Sequence, residues 1–205
     1  MNGDATPLLE ITELCEKFGA ALIVDEAHSI GLHGINGSGL VNQTGLQERV
    51  FARVVTYGKA MGCHGAAILG SRTLIDFLVN KSRPFIFSTG MSDHAWNSIE
   101  ASYLMLSNVH ETRVSQLVSH INYFRGELGM ATQKDAVPSP IQVIMCPGNT
   151  EVLNLEKTLL DHGLLVKAIR HPTVAKGAER IRICLHAFNT AAEIDLLIKT
   201  LHHAH

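Results

Sequence analysis

The feature that most constrains the fold is the apolar run Ala20–Val24, which leads straight into Asp25-Glu-Ala-His28. Ahead of it, Leu8, Ile11, Leu14 and Cys15 recur at helical spacing between Pro7 and Phe18, and Gly19 follows as a helix stop. A five-residue apolar run without polar alternation predicts a strand covered on both faces, as in a mostly parallel sheet flanked by helices. In open sheets of that kind, ligands lie outside the C-terminal strand ends. Asp25 and His28 are therefore expected at a site.

The unit recurs. Arg53–Tyr57 predicts a second strand ending at Gly58-Lys59, and Gly65–Gly70 a third. Ser71–Val79 reads as a helix with Ser71 as its N-cap. Phe85–Phe87 reads as another short strand, stopping at Ser88-Thr89-Gly90. Helical spacing then runs from Asp93 to Leu128, as two helices or one bent helix bridging two domains. Beyond Gly129 the texture changes, with a boundary at Pro138-Ser-Pro140. Strands over Ile141–Met145, Leu165–Ile169 and Ile181–Leu185 and helices over Val152–His162 and Ala191–His202 complete the chain. Lys167 and Arg182 alternate with apolar neighbours, which predicts a sheet with one wet face. The expected organisation is α/β: part of a large domain over residues 1–107, then a small α+β domain over 108–205.

Composition narrows the function. A net charge of −2 and 17 Lys+Arg with no dense block argue against a nucleic-acid binder, which needs a basic face to displace counterions. Four scattered cysteines, no secretory leader and no apolar run near ~18 residues predict a cytoplasmic protein with no membrane span. His28 with His33, Cys63-His64 and Cys184 with His186 lack zinc spacing, so no metal is expected.

Several residues carry chemistry in their setting. Lys59 follows a strand among small residues, where an ammonium is costly unless paired or chemically used. It is either a loop lysine that snorkels to solvent or one that forms a Schiff base with a planar cofactor. Asp25 at an apolar strand end needs a cationic partner, either an arginine or a protonated pyridine nitrogen. His28 caps the loop or bonds a ring oxygen. Thr56, Ser88 and Thr89 are hydroxyls beside glycines, able to serve as phosphate donors. Alternation puts Arg180 and Arg182 on one strand face; Arg182 either takes a substrate carboxylate bidentately or forms a surface ion pair with Glu179 or Glu193. Asp25-Glu-Ala-His28 also spells a helicase box, but there is no GxxxxGK[ST] loop and no basic channel lining.

Taken in order, Val24-Asp-Glu-Ala-His-Ser29, Thr56-Tyr-Gly-Lys-Ala60 with Gly65-Ala66, Phe87-Ser-Thr89, and Pro172-Thr-Val174 before Arg180-Ile-Arg182 closely resemble the α-oxoamine synthases. These are fold-type I enzymes dependent on pyridoxal 5'-phosphate. The resemblance runs along the whole chain. It implies Lys59 as the cofactor-bonding lysine, Asp25 at the pyridine nitrogen, His28 at the phenolic oxygen and Thr56 on the phosphate. It further implies Ser88 and Thr89 reaching the phosphate of a neighbouring subunit, hence a homodimer, with Thr173 and Arg182 contacting substrate. The implied partners are an amino acid and an acyl-CoA or acyl-carrier-protein thioester. Ala168–Val174 is most similar to the biotin-pathway member, which condenses alanine with a pimeloyl thioester and releases carbon dioxide. Met1-Asn-Gly-Asp4 resembles a mid-chain segment of the family, which implies an incomplete, inactive fragment. A half-enzyme that only binds a partner is the non-catalytic alternative, and it would be colourless. Ala175-Lys176 departs from the family, where proline often follows the valine.

Overall fold

The computed structural model describes residues 1–130 and 139–204. Contacts divide them into two units, Thr6–Thr112, and Met1–Ala5 together with Arg113–His205. The expected change of domain near residue 108 compares with this division at 112/113. Of the boundary signal at Pro138-Ser-Pro140, Pro138 lies outside the described residues.

In the first unit, helix α1 (Leu8–Phe18) ends at Gly19, whose φ of 62° and ψ of 28° turn the chain left-handed as the sequence predicts. Its inner face is Leu8 and Thr12, the Thr12 hydroxyl donating to the Leu8 carbonyl at 2.7 Å. Leu14, expected on that face, is exposed. Strands β1 (Ile23–Asp25), β2 (Ala52–Thr56) and β3 (Ala66–Gly70) form one sheet in the order β1-β2-β3. β1 and β2 are parallel, and β3 returns antiparallel to β2.

One face of this sheet is packed. Leu22 and Val24 lie against Leu8, Val41, Leu46 and Val50, and Val41 belongs to the short helix α2 (Leu40–Gln43). Val55 and Tyr57 cluster with Ile30, Met61 and Ile99, each such burial contributing about 1.5–3 kcal/mol. The opposite face corrects the expectation of a doubly covered strand: Ile23 is 61% exposed. Successive strand residues face opposite ways, and among the described residues only the Leu22/Val24 side has a covering cluster.

Helix α3 (Arg72–Lys81) starts at Ser71, whose Oγ accepts from the Leu74 N–H at 3.2 Å. Phe85–Phe87 is not a strand. Arg83–Ile86 is a helical turn, α4, with proline in its first positions, where a fixed φ suits a helix start. Helix α5 runs unbroken over Asp93–Glu127, 35 residues, where two helices or a bend were the alternatives.

The second unit has strands β4 (Ile141–Met145), β5 (Lys167–Ile169) and β6 (Arg180–Cys184) in the order β4-β6-β5, all antiparallel. Helices α6 (Asn149–Asp161) and α7 (Ala191–Ala204) accompany the sheet. Ile181, Leu159, Ile194, Leu201 and Phe124 are its most deeply buried large side chains. Gln142 is buried, and its amide is held by Arg125 and by the Ser139 carbonyl.

Candidate active site

β1 and β2 run parallel, so their C-terminal ends lie at the same end of the sheet. Asp25 pairs in register with Val54, and the Glu26 N–H donates to the Val54 carbonyl at 2.8 Å. The chain then turns sharply: Asp25 Oδ1 accepts from the Ala27 N–H at 2.8 Å, and both Asp25 and His28 are exposed. Thr56 closes β2. Its Oγ1 is buried and has no hydrogen-bond partner among the described residues. Lys59 follows in a turn closed by the Gly62 N–H on the Lys59 carbonyl at 3.0 Å and the Cys63 N–H on the Tyr57 carbonyl at 2.8 Å. The lysine is exposed and makes no ion pair among the described residues. The fold thus gathers four candidates, Asp25, His28, Thr56 and Lys59, at one sheet end.

Ser88 and Thr89 do not share that placement, because no strand precedes them. Both are exposed after α4, and Ser88 Oγ donates back to the Pro84 carbonyl at 2.5 Å. In the second unit, Thr173 is exposed in the turn after β5. The two arginines of β6 differ. Arg180 is committed to the Ala178 carbonyl and to Asn2. Arg182 Nε is buried without a hydrogen-bond partner among the described residues. The ion pair considered for Arg182 is not found there: Glu179 accepts from the Gly148 and Gly177 N–H groups, and Glu193 from the Thr190 N–H. Those backbone donors hold both carboxyls below the usual carboxylate range.

Sequence reasoning missed a buried ion pair beneath the Asp25 turn. Glu26 is 1% exposed and Arg53 9%. Arg53 Nε donates to Glu26 Oε2 at 2.5 Å, and its Nη2 to the Ser38 carbonyl at 2.7 Å. Glu26 Oε1 accepts from the Val41 N–H at 2.9 Å and from Ser29 Oγ at 3.0 Å. One carboxylate therefore ties β2, the start of α2 and the loop that carries His28. The available signal was an arginine opening an otherwise apolar strand.

Chemically, a phosphate oxygen would satisfy Thr56 Oγ1, and a ring cation would suit Asp25, as an amine-reactive carbonyl would Lys59. Among the described residues no group of three or more His, Cys, Asp or Glu could hold a metal. The described cavity of about 700 Å³ is elsewhere, at the other end of the same sheet, lined by residues including Leu22, Arg49, Phe51, Leu69 and Ser71.

The family model described as "Aminotransferase class I and II" matches residues 1–201. The chain belongs to that family. It is 37% identical over 203 residues to the 8-amino-7-oxononanoate synthase of Anaeromyxobacter sp. (strain K), covering 98% of this chain and 50% of that protein. It is 39% identical to the one of Marinobacter nauticus, again over 98% of this chain and 51% of the relative. The chain spans about half the length of the curated relatives it matches. A serine palmitoyltransferase structure from S. paucimobilis superposes on all of it with a TM-score of 0.88 at 28% identity, covering 52% of that protein. The resemblance to the α-oxoamine synthases therefore stands, and the fold is the α/β fold of the fold-type I pyridoxal-phosphate enzymes.

Proposed function

We propose that this chain carries the cofactor-bonding and carboxylate-recognising residues of an 8-amino-7-oxononanoate synthase-like acyltransferase. The reaction is a decarboxylative condensation of alanine with a pimeloyl thioester, on coenzyme A or an acyl carrier protein, in biotin formation. The observation that carries the reading is the buried, unpartnered Thr56 Oγ1 beside the Lys59 turn. Such an orphan costs about 1–3 kcal/mol, and a bound phosphate oxygen would relieve it. Similar solved structures hold pyridoxal phosphate, which when bound supplies an electron sink for the amino acid's α-carbon.

Each residue then has a task. Lys59 bonds the cofactor and exchanges protons at the α-carbon. Asp25 holds the proton on the ring nitrogen, His28 bonds the phenolic oxygen, and Thr56 holds the phosphate. Ser88 and Thr89 reach the phosphate of a second copy in a homodimer, which suits their exposure. Thr173 and Arg182 receive the substrate, Arg182 through its carboxylate. Among the described residues no helix is long and apolar enough to cross a membrane, and the four cysteines are free; a reducing, cytoplasmic setting fits both. Serine palmitoyltransferase chemistry is the second reading, favoured by the solved structures at 28% identity, against 37–39% for the oxononanoate synthases.

Asp25→Asn tests the function directly. The variant keeps the side chain's shape but loses its charge, so exchange of the alanine α-proton should slow by on the order of a hundredfold, at about 1.4 kcal/mol per decade. Undiminished exchange, followed by NMR in deuterated water, would remove the role given to Asp25.

In a protein of the relatives' full length, Arg182→Lys should raise the KM for alanine about tenfold or more, because a lysine cannot reproduce two parallel guanidinium–carboxylate hydrogen bonds. The resting cofactor spectrum should hardly change. Equal alanine dissociation constants for wild type and variant, from spectral titration, would end the carboxylate assignment.

A further inference from the structure

The turn that carries Lys59 is held from two sides by groups that the proposed chemistry does not use. On one side, Ser102 of α5 donates from Oγ to the Met61 carbonyl at 2.7 Å. One turn earlier on the same helix, the Ser98 carbonyl accepts from Cys63 Sγ at 3.3 Å. Met61 is itself buried against Ile99 and Tyr57, and the Tyr57 ring meets Tyr103 edge-on at 6.1 Å between centroids. Ser98, Ile99, Ser102 and Tyr103 thus form one stripe along α5, set by the i, i+4 spacing, that faces the lysine turn. On the other side, Gly31 has a φ of 81°, and a Cβ there would lie 2.8 Å from the Ala60 methyl. The loop after His28 can approach Ala60 only as glycine.

We propose that Ser102 is a positioning residue for Lys59: its hydroxyl fixes the Met61 carbonyl and so the path of the Lys59–Gly62 turn. The Lys59 side chain is long and exposed, with no ion pair among the described residues to aim it. Its direction is then set by the backbone from which it leaves. A neutral hydroxyl–carbonyl bond shifts such an equilibrium by roughly two- to tenfold, enough to tilt the turn without unfolding the strand beneath it. This inference rests on the reading of Lys59 as the cofactor-bonding lysine.

The test compares wild type, Ser102→Ala and Ser102→Thr as purified proteins. Without added cofactor, amide hydrogen exchange at Gly62 and Cys63, whose N–H groups close the turn, should run roughly two- to tenfold faster in Ser102→Ala. The β2 amides of Val54 and Val55 should not change. With pyridoxal phosphate, the fraction of Lys59 trapped by borohydride should fall severalfold at a fixed subsaturating concentration. Ser102→Thr, which keeps the hydroxyl, should restore both. Unchanged exchange at Gly62 and Cys63, or equal acceleration in β2, would overturn the proposal, the latter marking a general loss of stability. Borohydride labelling of a lysine other than Lys59 in the wild type overturns it by a separate route, through failure of the Lys59 reading, even where the exchange effect is present.

Discussion

In a protein of the relatives' full length, Lys59→Ala is expected to abolish the covalent attachment of pyridoxal phosphate and to reduce turnover by on the order of a thousandfold or more, a loss above about 4 kcal/mol at 1.4 kcal/mol per decade. The expectation follows from chemistry that a methyl group cannot replace. In the proposed reaction the amine would both bond the cofactor and move the α-proton, so its removal would delete two functions at once. The fold should survive, because Lys59 is exposed and its turn is held by backbone hydrogen bonds and by the Ser102 and Cys63 side chains, not by the lysine side chain. The measurement is borohydride reduction followed by peptide mapping, with near-ultraviolet and visible absorbance of the cofactor-loaded protein. Wild type should give one labelled lysine in the peptide containing Tyr57-Gly-Lys59-Ala. A variant that still trapped cofactor on a lysine and kept its turnover would refute the assignment.

The second large effect concerns stability. Arg53→Ala should lower the unfolding free energy by about 3–5 kcal/mol, the range for removing one partner of a buried ion pair. Glu26 is almost wholly enclosed, and without the guanidinium its charge keeps, among the described residues, the Val41 amide and the Ser29 hydroxyl. A denaturant titration would show the midpoint falling with little change in slope. A shift below about 1 kcal/mol, the range of exposed pairs, would mean that water reaches Glu26.

These two predictions differ in how far the sequence foretold them. Lys59 stands out because a strand, a glycine and small residues surround it, and because its neighbours fall into an ordered motif set. The Gly19 stop and the Ser71 cap were legible for a related reason: each depends on interactions within four residues. The Glu26–Arg53 pair was not, since 27 residues separate its members and only the parallel pairing of β1 with β2 brings them together. Phe85–Phe87 misled because apolar character there does not signal a core; Phe85 and Phe87 are 63% and 78% exposed, and Pro84 starts a helical turn. The open face at Ile23 was hidden for the opposite reason. An unbroken apolar run states what a strand can tolerate on its two sides, and burial depends on which other segments pack there. Arg182 could be placed on a face by alternation, but the lack of any ion pair to Glu179 or Glu193 required the backbone contacts that occupy both acids.

The enclosed carboxylate also restricts how this region can vary under mutation. A Cβ at Gly39, whose φ is 101°, would sit 2.5 Å from Glu26 Oε1. Positions 26 and 39 are therefore not independent choices, and position 53 is bound to the first of them by charge. A library that randomised residue 39 alone would return almost only glycine. One that varied 26, 39 and 53 together could recover neutral, better-filled solutions, since a well-packed apolar replacement for a buried ion pair is often as stable as the pair. Three sites far apart along the chain thus behave as a single heritable unit, to be exchanged together or left alone.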